Sequence, residues 1–262
     1  MKDKLEIAGR TFNSRLMTGT GKHRSMDDLV ETVEASGTQI ITVAIRRLDL
    51  DNPGEKTILD YLDWERYQIL PNTAGSTTAD EAVFTARLAR EVTGSDWIKL
   101  EVIPYAKHLL PDGVATLAAA RTLINEGFKV LPYISADPVL ARQLEDIGCS
   151  TIMPLGSPIG SGQGILTLEE ISLIIEEAEI PVVVDAGLGA PSDASLVMEA
   201  GADAVLVNTA IAQAQNARLM GEAFKLGVEA GRKAYLAGRI QKRRYATASS
   251  PNEGVPDLGE RS

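Results

Sequence analysis

The chain has 262 residues, of which 44% are hydrophobic and 24% are charged, and it contains one cysteine. These values are ordinary for a soluble globular protein, allow one large core, and exclude an internal disulfide or a cysteine-rich metal site. The formal net charge of −10 argues against non-specific binding of nucleic acid.

Neither a membrane span nor a secretory signal is evident in the sequence. No apolar run approaches the roughly 18 residues that a membrane span needs. The first ten residues carry too many charges for a secretory signal. We therefore expect a cytoplasmic enzyme that does not bind membranes.

Eight short apolar segments, rich in β-branched residues, alternate with amphipathic segments along the chain. This alternation, without a hairpin signal, is typical of βαβ units and a parallel sheet. The predicted strands are 15–20, 39–45, 67–72, 96–102, 129–134, 151–155, 181–185 and 204–208. The predicted helices are 25–35, 55–62, 78–92, 113–125, 138–147, 167–178, 191–200 and 210–238.

Eight strand–helix units in about 240 residues are what an α/β fold of the (β/α)8 TIM barrel type requires. A doubly wound open sheet is the alternative. Closure is favoured because each strand is short and nearly every strand ends in polar or glycine-rich residues. We predict a single barrel domain over 1–248 and a short irregular tail over 249–262, which is rich in Pro, Gly, Ser and charge.

The fourth predicted strand, 96–102, carries Lys99 and Glu101 on one face and apolar residues on the other. Both faces of a parallel barrel strand are covered, so the apolar face suits the helices and the charged pair is expected in the lumen near its mouth. We expect burial to depress the pKa of Lys99, so that its neutral amine can form a Schiff base. Glu101 or Asp185 could then move protons. A buried structural ion pair is the alternative.

Glycine-rich segments follow the sixth and seventh predicted strands, and the start of a predicted helix follows the eighth. The loop 156–164, after the sixth strand, contains Gly160. The seventh strand is followed by Ala186 and Gly187. The eighth strand is followed by Asn208 and Thr209, which lead into the last helix. Glycine-rich backbone can form an anion nest, a helix N-terminus attracts phosphate, and the loops after strands seven and eight are the usual phosphate site of this fold. The sequence therefore predicts a phosphate ligand there, although each glycine-rich loop alone could be a plain tight turn.

The remaining chemically notable residues are expected to be structural. Cys149 precedes the sixth strand, at the end of the barrel opposite the predicted site, and suits a small core residue. His23 and His108 are the only histidines, which excludes a histidine-rich metal site. We expect His108 on a surface loop, and we predict neither a metal nor a cofactor.

Several motifs together resemble the thiazole synthases of thiamin biosynthesis, over roughly residues 10–255. These motifs are Ser14-Arg15-Leu16, Gly19-Thr20-Gly21-Lys22, Pro71-Asn72-Thr73-Ala74-Gly75, Ile98-Lys99-Leu100-Glu101-Val102, Leu131-Pro132-Tyr133, the Pro158 to Ile165 loop, Val184-Asp185-Ala186-Gly187, Asn208-Thr209-Ala210 and Tyr245-Ala246-Thr247-Ala248-Ser249-Ser250-Pro251. The combination is far more specific than a generic barrel pattern.

The resemblance implies a transferase that condenses 1-deoxy-D-xylulose 5-phosphate, dehydroglycine and sulfur from a thiocarboxylated sulfur-carrier protein into the thiazole phosphate moiety of thiamin. It implies that Lys99 forms the imine and that Glu101 and Asp185 take part in acid–base steps. The residues that match substrate- and phosphate-contacting positions are Gly160, Ala186, Gly187, Asn208 and Thr209. The resemblance also implies a homotetramer that binds the carrier protein.

Two other functions fit the residues alone. A class I aldolase acting on another sugar phosphate would share the lysine and the phosphate site but would need no protein partner. A non-catalytic sugar-phosphate-binding scaffold would use Lys99 only in a structural ion pair. A requirement for a thiocarboxylate donor separates thiazole synthase from the aldolase. Substitution of Lys99 separates the scaffold from both enzymes, because the scaffold would lose stability rather than chemistry.

Overall fold

The computed structural model describes residues 3–47, 56–247 and 249. An antiparallel hairpin of β1 (Leu5–Ile7) and β2 (Arg10–Phe12) precedes eight parallel strands. These strands are β3 (Leu16–Gly19), β4 (Ile40–Ala44), β5 (Gln68–Asn72), β6 (Trp97–Leu100), β7 (Lys129–Ile134), β8 (Met153–Pro154), β9 (Val183–Asp185) and β10 (Ala204–Val207).

The eight parallel strands form the predicted barrel. Neighbouring strands pair in the order β8-β7-β6-β5-β4-β3-β10-β9. Isolated parallel bridges between Ile152 and Val182 and between Leu155 and Asp185 join β8 to β9 and close the ring. The barrel is confirmed and the open sheet is excluded.

Helices follow most of the strands and cover the outside of the barrel. They are α1 (Met26–Ser36), α2 (Ala79–Thr93), α3 (Gly113–Asn125), α4 (Pro138–Asp146), α5 (Leu168–Glu177), α6 (Pro191–Ala200), α7 (Thr209–Ala212) and α8 (Ala217–Ala237). Ser25, Thr78, Asp112, Asp137 and Asn216 start five of them by accepting a hydrogen bond from a first-turn backbone N–H. None of the helices in the described ranges is long and apolar enough to cross a membrane.

The N-terminal hairpin is an addition to the predicted fold. Its turn residues Ala8 and Gly9 both have positive φ angles, 47° and 76°. Two-residue turns of this kind are usually predicted from an Asn-Gly or Asp-Gly pair, and Ala-Gly is not such a pair. The expectation of a chain without a hairpin was therefore wrong.

Two predicted helices differ from the observed elements, and the predicted tail cannot be compared. After β4, the described part of the predicted helix 55–62 is a short 3₁₀ turn, Ile58–Asp60. The predicted last helix is split into α7 and α8 because the Asn216 side chain caps a new helix start at Leu219 N. The predicted tail lies outside the described residues, apart from Ser249.

The hairpin fills the N-terminal end of the barrel. Leu5, Ile7 and Phe12 are buried with inward-facing strand residues, and the Phe12 and Trp97 rings meet edge to face, with centroids 6.0 Å apart. The outward-facing residues of β6, by contrast, pack against the helices in a separate cluster. The N-terminal end of the lumen is therefore a packed core, and the polar cavity lies at the C-terminal end.

Candidate active site

Lys99 lies inside the barrel, as the strand alternation predicted. Ile98, Leu100 and Val102 belong to the cluster under the helices, whereas Trp97 belongs to the cluster inside the lumen. Lys99 shares the inward face with Trp97 and is only 5% exposed. Its backbone pairs with Asn72 of β5.

Two carboxylates hold the lysine ammonium. Lys99 Nζ lies 2.6 Å from Asp185 Oδ2 and 3.2 Å from Glu101 Oε1. Glu101 and Asp185 are 6% and 3% exposed. The structure therefore brings the three predicted catalytic residues together in one buried cluster.

Thr73 fixes the position of Glu101. Regular strand β6 ends at Leu100 rather than at residue 102 as predicted. The Thr73 hydroxyl donates to Glu101 O (2.7 Å) and accepts from Glu101 N (2.8 Å). This double contact replaces the missing ladder bonds and keeps the Glu101 side chain directed into the lumen.

The predicted depression of the Lys99 pKa was wrong. Burial is the largest single influence and lowers this pKa, but attraction to Asp185 and Glu101 together outweighs burial and raises it above the ordinary value. The free site therefore holds an ammonium ion between two carboxylates. A neutral amine requires a proton transfer to one of these acids.

An apolar wall lies beside the charged cluster. Ile103, Tyr133 and Leu155 are buried together, and the Tyr133 ring centroid is 5.6 Å from Lys99 Nζ. Burial raises the pKa of Tyr133, and the nearby Asp185 and Glu101 raise it further, so its hydroxyl remains protonated. That hydroxyl donates to Leu109 O at 3.3 Å. Tyr133 therefore limits solvent access to the lysine, a role that the pattern of β7 alone did not reveal.

A cavity of about 590 Å³ opens above the cluster at the C-terminal ends of the strands. Its volume is in the range of small-molecule sites. All eight predicted site residues line it: Lys99, Glu101, Asp185, Gly160, Ala186, Gly187, Asn208 and Thr209.

The glycine loop and the end of β9 pack so closely that side chains cannot fit between them. A β-carbon on Gly187, whose φ is +79°, would lie 1.8 Å from Ser157 Oγ and 2.7 Å from Ser157 N. Gly156 N donates to Asp185 O at 3.0 Å, and Gly164 N donates to Gly187 O at 2.9 Å. These contacts set the position of Asp185 and of the backbone around the predicted phosphate site.

The end of β10 contributes an amide rather than a long helix terminus. Asn208 Oδ1 is buried and has no hydrogen-bond partner in the described structure. A helix does start at Thr209 as predicted, but it contains only four residues, so the continuous helix predicted over 210–238 was wrong. A phosphate at this place would contact individual backbone and side-chain groups.

Other candidate residues lie where the sequence suggested. Cys149 is buried, and burial raises its thiol pKa to about 12, as suits a core residue. His108 is exposed on its loop. Within residues 3–47, 56–247 and 249, no cluster of three or more His, Cys, Asp or Glu could hold a metal ion.

Lys22 and His23 are among the cavity residues to which sequence reasoning assigned no role. Both residues follow the glycines at the end of β3. Their position after a polar strand end was the sequence feature that could have placed them in the site. The pKa of His23 is lowered chiefly by burial, with Asp28 opposing, and the imidazole is therefore neutral at pH 7.

Residues 6–251 match the family model described as thiazole biosynthesis protein ThiG. The chain is 55% identical over 257 residues to a thiazole synthase of Prochlorococcus marinus, covering 96% of this chain and 97% of the relative. It is 57% identical to a thiazole synthase of Thermosynechococcus vestitus, covering 96% and 93%.

A solved structure has the same architecture. One chain of the Amycolatopsis orientalis BexX/CysO complex superposes with a TM-score of 0.82 at 32% identity. The match covers 92% of this chain and 98% of that chain. The similarity in fold therefore extends over nearly the whole length of both chains.

Proposed function

This chain belongs to the ThiG family, the thiazole synthases of thiamin biosynthesis, and we propose that it makes thiazole through an imine on Lys99. The substrates are 1-deoxy-D-xylulose 5-phosphate, dehydroglycine and sulfur carried as a thiocarboxylate on a sulfur-carrier protein. The observation that carries the proposal is the buried Lys99 ammonium between Asp185 and Glu101 beneath a cavity of sugar-phosphate size.

The first step is a proton transfer from Lys99 to Asp185, the nearer carboxylate at 2.6 Å. The neutral amine attacks the substrate ketone and a C–N bond forms. The former carbonyl oxygen takes up protons and leaves as water, which produces the imine. Asp185 is suited to return the proton that this loss of water requires.

Glu101 is suited to the later proton transfers. It lies 3.2 Å from Lys99 Nζ on the same strand face and is held through its backbone by Thr73. An imine acidifies the neighbouring carbon, and a carboxylate at this distance can move a proton between that carbon and the substrate oxygens. In this proposal Asp185 serves the formation of the imine and Glu101 serves the later proton transfers, each according to its position.

The phosphate group occupies the part of the cavity bounded by Gly160, Ala186, Gly187, Asn208 and Thr209. Backbone N–H groups and small residues allow close approach of an anion there. The buried, unpartnered Asn208 Oδ1 is available to accept a hydrogen bond from a substrate hydroxyl. This arrangement directs the ketone end of the substrate towards Lys99.

The sulfur donor is a protein, so the cavity must admit a flexible carboxyl-terminal tail. The related BexX chain was solved in a complex with CysO, which supports a protein partner for this chain. We extend the proposal to a homotetramer in the cytoplasm, on the basis of the family resemblance.

Reconstitution tests the proposal against the aldolase alternative. The protein is incubated with the sugar phosphate, dehydroglycine generated in situ, and thiocarboxylated carrier, and thiazole phosphate is measured by mass spectrometry. We expect product only when all three components are present, and none with the carrier in its carboxylate form. Cleavage of the sugar phosphate into two fragments without any sulfur donor would contradict the proposal and favour an aldolase.

A further inference from the structure

Lys22 stands at the mouth of the active-site cavity, and we propose that it binds the substrate phosphate and selects phosphorylated over unphosphorylated ketoses. This inference rests on the proposed function, because it assigns a residue to the phosphate of the same substrate. Three features support this role: the backbone of Lys22, the position of its ammonium group and the charges around the cavity.

The backbone at Lys22 is in a conformation that side chains rarely adopt. Its φ is +70°, in the left-handed region where glycine is usual, and it follows Gly21 directly. A lysine gains nothing from this conformation in a surface turn, where glycine or asparagine would be less strained. Lys22 is one of the residues that line the cavity.

The ammonium group lies over the predicted phosphate position. A β-carbon built on Gly160 would lie 3.6 Å from Lys22 Nζ and 3.7 Å from Thr209 Oγ1. The space above the Gly160 α-carbon is therefore within contact distance of both a cation and a hydroxyl. A phosphate oxygen in that space would meet both groups at contact distance.

Among the lysines that line the cavity, Lys22 is the one best placed to pair with an anionic ligand. Three lysines line the cavity within the described residues, namely Lys22, Lys56 and Lys99. Lys99 is held by two carboxylates, and Lys56 Nζ lies 5.8 Å from the Tyr61 ring centroid. No salt bridge of Lys22 is found among the residues that the structure describes. A dianionic phosphate near Asp185 and Glu101 needs such a cation to offset their repulsion.

The test measures how Lys22 affects imine trapping by borohydride. The sugar concentration that gives half-maximal adduct is determined with 1-deoxy-D-xylulose 5-phosphate and with unphosphorylated 1-deoxy-D-xylulose. For Lys22→Met we expect a rise of roughly 10- to 100-fold with the phosphorylated sugar, the usual effect of losing a charge-assisted hydrogen bond. With the unphosphorylated sugar we expect no change.

Three further variants separate charge from structure. Lys22→Gly removes both the backbone strain of the left-handed conformation and the cation, so its affinity for the phosphorylated sugar should fall as in Lys22→Met. Lys22→Arg keeps the charge and should retain most of the selectivity. Lys129→Met removes an exposed lysine at the start of β7, at the opposite end of the barrel, and should behave as the unmodified protein does. Unchanged half-saturation in both Lys22→Met and Lys22→Gly would overturn the inference.

Calorimetry with inorganic phosphate separates this inference from the proposed function. Phosphate binding that weakens in Lys22→Met supports the role of Lys22 even if no imine is trapped in the unmodified protein, in which case the imine mechanism alone fails. Phosphate binding that is equal in the two proteins, together with normal trapping, would leave the imine mechanism standing and refute the role of Lys22.

Discussion

At the scale of single residues, the protonation of Lys99, the proposed nucleophile, depends on its distance from two acids. Lys99 Nζ is 2.6 Å from Asp185 and 3.2 Å from Glu101, and these contacts raise its pKa although the side chain is buried. The resting enzyme therefore keeps the amine protonated. In the proposed mechanism a carboxylate accepts this proton when substrate arrives, so the contact that keeps Lys99 protonated also supplies the base.

Substitution of Asp185 should move the pH dependence of imine formation. Asp185→Asn removes the nearer negative charge, which lowers the pKa of Lys99, so the neutral amine appears at lower pH. We expect the rate of borohydride-trapped adduct formation to begin its rise at lower pH than in the unmodified protein. The maximal rate should fall by about 10²- to 10⁴-fold because a general base is lost. Trapping rates across a pH series measure both effects.

Glu101→Gln is the matched control for this prediction. Its carboxylate is farther from the ammonium, so its removal should shift the pH curve in the same direction but by less. Circular dichroism establishes that each variant is folded. A curve for Asp185→Asn that stays in place, or moves to higher pH, would mean that Asp185 does not set the charge of Lys99.

The sequence predicted the position of Lys99 better than its protonation. Alternation along residues 96–102 correctly placed Lys99 and Glu101 in the lumen, because parallel strands are covered on both faces. The direction of the pKa shift depends on the distances from Lys99 Nζ to both carboxylates, and the nearer one, Asp185, comes from another strand. Those distances are a tertiary property, and strand periodicity carries no information about them.

At the scale of elements, the glycine loop and the end of β9 act as one packed unit. Their backbones are joined by hydrogen bonds between Gly156 N and Asp185 O and between Gly164 N and Gly187 O. The sequence predicted these glycines as an anion cradle. The structure adds a packing reason for Gly187, where any side chain would collide with Ser157.

Gly187→Ala should therefore disrupt the site. The added carbon would lie within 2.7 Å of Ser157 backbone atoms and at a φ of +79°, so neither a rotamer change nor a smaller residue at 157 can relieve the clash. We expect loss of trapping activity together with a fall of several degrees in the thermal midpoint. Differential scanning calorimetry and the borohydride assay measure the two effects.

Gly94→Ala is the control for backbone strain alone. Gly94 ends α2 at a φ of +67°, but nothing lies within 4 Å of a β-carbon there. We expect it to cost only about 1 kcal/mol of stability and to leave trapping intact. If Gly187→Ala behaved like Gly94→Ala, the close packing would not be what fixes Asp185.

Element boundaries could be predicted where caps and glycines mark them. The bounds of α3, α6 and β7 match the predicted 113–125, 191–200 and 129–134. The break between α7 and α8 was missed, although Asn216 is a favourable N-cap residue, because the apolar pattern continues across it. The Ala8-Gly9 hairpin turn gave no usual signal at all.

At the scale of the whole molecule, stability and chemistry lie at opposite ends of the barrel. The N-terminal end is packed with hairpin and strand side chains, and the cavity is at the C-terminal end. Eight alternating units were enough to predict this polarity, since barrel active sites lie at the carboxyl ends of the strands. The hairpin that fills the other end was not predicted.

Phe12→Ala should test this separation. Phe12 is 3% exposed and packs against Trp97, so its truncation should lower the free energy of unfolding by about 3–5 kcal/mol. We expect the fraction of folded protein that traps substrate to be unchanged. Denaturant unfolding and borohydride trapping at a temperature where the variant is folded measure the two quantities.

The neighbouring Thr11 provides the control. It is exposed on the same strand, so Thr11→Ala should change the free energy of unfolding by less than about 0.5 kcal/mol. A large loss of trapping by folded Phe12→Ala would mean that the hairpin shapes the active site as well as the core.

The most direct test of the account is to trap the imine on Lys99. The intact protein is incubated with 1-deoxy-D-xylulose 5-phosphate and borohydride, and the adduct is located by mass spectrometry and peptide mapping. Lys99→Arg is the control, since arginine keeps the positive charge but does not become a neutral amine. The account predicts one adduct per chain, on Lys99, and none in Lys99→Arg. An adduct on another lysine, or folded protein that binds the sugar phosphate without any adduct, would contradict it.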